Sequence, residues 1–125
     1  MNIAVWALQI LLGLIFLTAG GIKVATSRDK LLENPNMAWV EDFSAGTVRT
    51  IGALEMLAGI GLILPSLLGI APLLSPLAAL GLGIVMVGAA IAHVRRGESQ
   101  PVVMNVVLLA VAAFVAWARF GPYAL

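Results

Sequence analysis

Four long apolar runs, parted by short breaks, fill most of a chain of 125 residues. A helix that spans a bilayer needs about 20 predominantly apolar residues. The first run goes from about Ile3 to Val24, with Lys23 at its end. The second goes from about Thr47 to Leu68 and holds Arg49 and Glu55. The third, Leu73 to Val94, carries no charge, and the fourth runs from Val102 to Ala118 and stops at Arg119. The expected fold is all-α, a bundle of four transmembrane helices over 3–24, 47–68, 73–94 and 102–118. Together with a polar loop at 25–46 they make a single membrane domain, 1–125. Composition agrees: hydrophobic residues are 62% and charged residues 10%, where a soluble domain is roughly a quarter charged. A soluble fold this small could not hide so much apolar surface, and a bilayer can.

The same numbers exclude several functions. A net charge of +1 and the lack of a basic stripe with interleaved aromatics argue against a nucleic-acid partner. The absence of cysteine removes disulfides, thiolate metal sites, iron–sulfur clusters and dithiol chemistry within the chain. A single histidine, His93, cannot supply a bis-histidine haem or a multi-histidine metal site. No Gly-rich phosphate loop marks a nucleotide site, and no nucleophile–base motif marks a catalyst. The N-terminal run lacks a basic leader and exceeds the typical length of a signal-peptide core, so it reads as a retained helix.

Breakers punctuate the runs. Pro65, Gly69 and Pro72 mark the second connection, Leu64–Ser75. Gly97 and Pro101 mark the third, with Pro101 suited to the first turn of the last helix. The first connection, Ala25–Gly46, is the only sizeable polar stretch. Ser27 can cap a short interfacial helix ending near Glu33, Asn34–Pro35–Asn36 turns the chain, and Trp39 and Phe43 suit the membrane–water interface. That stretch reads either as a lid over a site or as an amphipathic loop on the bilayer. Lys23, Arg28, Lys30, Arg49, Arg95 and Arg96 fall on one side and only Arg119 on the other. The positive-inside rule then places loops 25–46 and 95–101 in the cytoplasm and both termini outside an inner (plasma) membrane.

Small residues recur along the runs as Gly13 and Gly20, Gly52 and Gly59, Gly81 and Gly88. In lipid, close backbone approach drives helix packing, so these glycines read as packing surfaces. Gly13, Phe16, Gly20 and Lys23 share their spacing with Gly83, Met86, Ala90 and His93. This faint repeat is compatible with helices related by an axis along the membrane normal. Exposed small-residue faces are also compatible with a homo-oligomer, which the pattern does not decide.

Glu55 is the most informative residue. An ionisable group inside a span is expensive and should face the bundle and find a partner. Arg49 is six positions away, about 120° around the helix, and is a poor one. Side chains lean toward the N-terminus of their own helix, so Lys23 and His93 point back into the bilayer while Glu55 leans out to meet them. Asn105 lies at similar depth. The expected cluster is Lys23, Glu55, His93 and Asn105, with Arg49 at its rim. Its functional reading is a pocket for a quinone ring or a lipid headgroup, or a proton-passing pair. Its structural reading is an ion pair that fixes helix register.

Several segments together resemble the DoxX-like family of small four-helix bacterial membrane proteins. They are Phe16–Leu17–Thr18–Ala19–Gly20–Gly21–Ile22–Lys23, Arg49–Thr50–Ile51–Gly52–Ala53–Leu54–Glu55, Gly59–Ile60–Gly61–Leu62–Ile63–Leu64–Pro65, Pro76–Leu77–Ala78–Ala79, Met86 through His93, and Asn105. The resemblance covers nearly the whole chain, through the order and polar positions of pieces that are individually unspecific. It implies an accessory or ligand-binding subunit, with quinone or lipid as ligand, in a membrane redox or stress-defence system. A membrane or peripheral oxidoreductase would then be its partner, and the chain would have no catalytic activity of its own. Thiosulfate chemistry, from which the family takes its name, has no visible route in a chain without cysteine or a cofactor motif. A scaffold or assembly factor is the second reading, and a transporter of a small solute or protons the third. The third needs a polar path through the outer half, where the sequence offers almost none.

Overall fold

The first run is apolar on every face, as a membrane-spanning helix is, and it is burial that recurs every three or four residues. The computed structural model describes all 125 residues and contains no strand. Helix α1 (Asn2–Ala25) buries Val5, Gln9, Leu12, Gly13, Phe16, Gly20 and Lys23. A short α2 (Arg28–Leu32) and a 3₁₀ helix (Pro35–Asp42) follow. Helices α3 (Ala45–Leu68), α4 (Leu74–Arg95) and α5 (Ser99–Phe120) complete the chain. The four long helices have 22–24 residues each, about 33–36 Å at the standard rise and enough to cross a bilayer. The chain is therefore an all-α, multi-pass membrane protein. Its outward faces are apolar, as at Ile3, Leu57, Leu68 and Ile84, and meet lipid.

Helices α1 and α3 form one tight antiparallel pair, α4 and α5 the other. The pairs join mainly along α3 and α4, and α1 meets α5 more sparsely. Glycine makes the first pair close. A Cβ placed on Gly59 would stand 2.7 Å from the Gly13 carbonyl oxygen, and one on Gly52 2.8 Å from that of Gly20. Gly81 and Gly88 do not serve this purpose, because nothing within 4 Å would meet a Cβ at either. Within α4 it is Gly83 that is buried.

The faint repeat has a structural counterpart. In α4 the buried residues include Ser75, Ala79, Leu82, Gly83 and Met86. They correspond, by the step that carries Gly13 to Gly83, to buried Val5, Gln9, Leu12, Gly13 and Phe16 in α1. The mid-bilayer core of Leu12, Phe16, Leu62, Leu82, Met86, Ala112 and Val115 draws on all four long helices.

Helix α3 continues through Pro65 to Leu68 and ends at Gly69, whose φ of +69° is left-handed. The break thus falls later than a connection starting at Leu64. A proline inside a helix lacks the N–H that would bond the carbonyl four residues back. Here the Ser75 hydroxyl donates to the Gly61 carbonyl at 3.0 Å. Gln9 Nε2 donates to the Leu62 carbonyl next to it. Freed backbone acceptors inside a membrane have to be satisfied by such side chains.

Candidate functional site

At the end of the bundle that carries the long first connection, the four long helices and the 3₁₀ segment line a half-open cavity of about 430 Å³. That volume lies in the range of small-molecule sites, about 300–1,000 Å³. Four of the residues singled out in the sequence, Lys23, Glu55, His93 and Asn105, line it. Arg49, expected at the rim, is exposed on α3 and is not part of the lining. The rest of the wall is chiefly apolar, with Phe16, Ile51, Val85, Met86 and Leu108 among its members.

Lys23 and Glu55 form a direct ion pair, Nζ to Oε1 at 2.8 Å, with Glu55 only 3% exposed. The pair is possible because Gly20 and Gly52, one turn before each partner, let the two backbones approach. Lys23 Nζ also lies 5.8 Å from the centroid of the Trp39 ring, within the reach of a cation–π contact. Trp39 packs edge-on against Phe43 at 5.7 Å and against His93 at 6.3 Å. The 3₁₀ segment therefore roofs the cavity through one indole that touches α1 and α4 together.

His93 takes a partner that the sequence reading missed. Its Nδ1 lies 2.7 Å from Glu98 Oε1, not against Glu55. The backbone explains this. Gly97 has a φ of +70°, the Gly97 N–H bonds the Val94 carbonyl, and the Glu98 N–H bonds the His93 carbonyl at 3.0 Å. This is a Schellman ending, which folds the second residue past the helix back over its last turn. The His93 hydrogen bond is the main reason that the Glu98 carboxyl is held below the usual carboxylate range. An ionised Glu98 accepts only, so His93 Nδ1 donates, and a neutral ring then keeps its lone pair on Nε2.

Arg96 ties the roof to the α4–α5 turn. It reaches Asp42 at 3.2 Å, Glu98 at 3.6 Å and Glu41 at 3.8 Å. The hydrogen bond to Asp42 is the largest influence holding the Arg96 guanidinium above its ordinary value. Arg28 fixes the segment from the other side, donating to the carbonyls of Phe43 at 2.9 Å and Glu41 at 3.1 Å.

A second buried polar group occupies the opposite half of the bundle, where the sequence offered almost none. Arg119 Nε donates to Gln9 Oε1 at 2.8 Å. Gln9 Nε2 donates to Ser66 Oγ at 3.1 Å, Ser66 to Ser75 at 2.6 Å, and Ser75 to the Gly61 carbonyl. The guanidinium can only donate, so it sets the direction of the whole chain. Arg119 is 3% exposed and lies 4.9 Å from the Trp6 ring centroid. Leu12, Phe16, Leu62, Leu82 and Met86 separate this network from the cavity. No group of histidine and acidic side chains is arranged to hold a metal ion.

The family model described as the DoxX-like family matches residues 7–115. The chain belongs to the DoxX-like family. Among curated proteins and solved structures, none matches it. The region matched in this DoxX-like protein contains every cavity residue named above, together with Gln9, Ser66 and Ser75. It stops before Arg119.

Proposed function

We propose that this DoxX-like protein is a ligand-binding accessory subunit of a membrane redox or stress-defence system. Its cavity takes a small amphiphile from the bilayer, with a quinone ring or a lipid headgroup at the Lys23–Glu55 end. The observation that carries this reading is the cavity itself: about 430 Å³, mostly apolar, with a buried ion pair, a histidine and an amide in its lining. A few convergent polar groups in an apolar pocket are the usual anatomy of a small-molecule site. Intramembrane ionisable groups are functional by default. The chain would bind and position its ligand, with catalysis left to a membrane or peripheral oxidoreductase partner.

The orientation that fits is the one in which the roofed end faces the cytoplasm of an inner (plasma) membrane. Six of the seven lysines and arginines belong to that end, which agrees with the positive-inside rule. The open stripe around Gly81 and Gly88 leaves room for a second copy. A scaffold or assembly role is the alternative favoured by one specific observation. Lys23 and Glu55 neutralise each other at 2.8 Å, as a purely structural pair would.

Native mass spectrometry in mild detergent separates the two, with wild type beside Glu55→Gln. A quinone or lipid retained by wild type and lost from the variant supports the ligand reading. Intact, ligand-free protein in both samples favours the scaffold.

A further inference from the structure

On the reading of the cavity as a ligand site, the polar atoms that keep open surface decide what it accepts. Its donors are largely out of reach. Asn105 Nδ2 is sealed inside the protein. Lys23 Nζ already donates to Glu55 Oε1 at 2.8 Å and lies 5.8 Å from the Trp39 ring centroid. The acceptors are in the opposite condition. His93 lines the cavity with its side chain 11% exposed. Its Nδ1 is held by Glu98 at 2.7 Å, while Nε2, on the other edge of the ring, makes no hydrogen bond and is not sealed. A carboxylate on one ring nitrogen fixes the tautomer and the direction of an imidazole, so Nε2 presents a lone pair. Glu55 adds a second open acceptor, because Lys23 takes Oε1 and leaves Oε2 unbonded and unsealed. A ligand head that supplies a donor satisfies both atoms. A cationic donor would stand against the Lys23 charge.

We propose that the cavity selects an uncharged amphiphile with a hydroxyl head, recognised by His93 Nε2, and that Glu98 is the residue that positions this acceptor. An oxidised quinone brings acceptors and no donor. Of the two heads considered for this cavity the lipid is therefore favoured, in the form of a neutral alcohol or glyceride. Phe16, Met86 and Leu108 supply apolar surface for its tail. A site built to hydrogen-bond a hydroxyl rejects the analogue that lacks it. Water competes in a half-open cavity, so the preference is worth about one net hydrogen bond, about tenfold.

The test is competitive native mass spectrometry of the full chain in one mild detergent, at about pH 8, where an imidazole is ordinarily neutral. Four probes share a decyl tail and are offered in equal amounts: decanol, decyl methyl ether, decyl methyl ketone and decylammonium. Decanol should exceed each of the others by about tenfold on wild type. His93→Leu should remove that preference. Glu98→Ala should weaken it, because the ring is then free to carry its proton on either nitrogen. His93 is the only histidine, so a ¹⁵N-histidine label reports on this ring alone. Decanol should shift the Nε2 resonance of wild type while the proton stays on Nδ1, and Glu98→Ala should show mixed tautomers. This second readout on wild type holds even where a variant fails to fold. An ether, ketone or ammonium probe that equals or exceeds decanol overturns the selectivity, with Lys23 or the Trp39 indole as the recognising donor, and leaves the ligand reading standing. A decanol preference kept by His93→Leu, or an Nε2 resonance that decanol leaves unmoved, overturns the role of His93. Failure of every probe to bind wild type removes the ligand reading and this inference with it.

Discussion

Lys23 reaches Glu55 across two helices that touch through glycine, and each partner is the other's only counter-charge in the span. Removing one leaves a buried charge alone. Glu55→Ala should cost about 3 kcal/mol, and Glu55→Gln should recover about 1.5 kcal/mol of that by hydrogen bonding to the charged Lys23. Unfolding in a single detergent measures both; equal losses would mean that Glu55 is solvated. This pair was legible in the sequence, because a carboxylate and an ammonium inside apolar helices have few other options and side-chain tilt brings them together. The partner of His93 was not read. The signal was present in Gly97: a left-handed ending places Glu98 over His93. Glu98 also carries the pH dependence of this corner. Its folded value is depressed, so its contribution is fully present above the ordinary carboxylate value of about 4.3. It is lost as pH falls through the lower folded value. Protection of the amides in the 96–99 turn, taken relative to their intrinsic exchange rate, should therefore fall below about pH 4, and Glu98→Gln should flatten that response.

Among the elements, the α1–α3 contact and the 3₁₀ roof make separable claims. Gly52→Val should force the two backbones apart, destabilise the bundle by about 1–3 kcal/mol and lengthen the Lys23–Glu55 contact. Gly81→Val, where nothing lies within 4 Å, should leave the unfolding midpoint of the monomer unchanged. Equal effects would contradict the packing described. The roof rests on Arg96, whose acidic partners are largely exposed, and each such bridge is individually worth at most about 1 kcal/mol. Arg96→Gln should therefore leave global stability nearly intact while amide exchange across 35–42 accelerates. Protection unchanged in that segment would mean that Arg28 and Trp39 suffice to hold it. The apolar runs announced the four long helices, since length and hydropathy suffice for that. They concealed the Gln9–Ser66–Ser75–Arg119 network, because neutral polar residues barely lower the hydropathy of a run and Arg119 reads as a mere stop. Pro65 was the missed clue. Once α3 continues through it, its freed carbonyl needs a donor, and Ser75 is the side chain that supplies one.

At the scale of the molecule, an apolar core divides the bundle into two polar halves of different character. One is a chain of donors that starts at Arg119 and ends on a backbone carbonyl. The other is a cavity with a roof, an ion pair and an unsatisfied amide. The matching buried stripes of α1 and α4 place Phe16 and Met86 in equivalent positions of its wall, beneath Lys23 and His93. The proposed role requires that this space hold a ligand. It is tested most directly by filling the space without touching a polar group. Ala89 lines the cavity, and Ala89→Phe should occupy part of it. Native mass spectrometry of wild type and variant, purified side by side from the same membranes, reads the outcome. The expected result is a bound small molecule on wild type and none on Ala89→Phe, at similar melting temperatures. A ligand retained undiminished by the filled variant, or a wild type that never carries one, would contradict it.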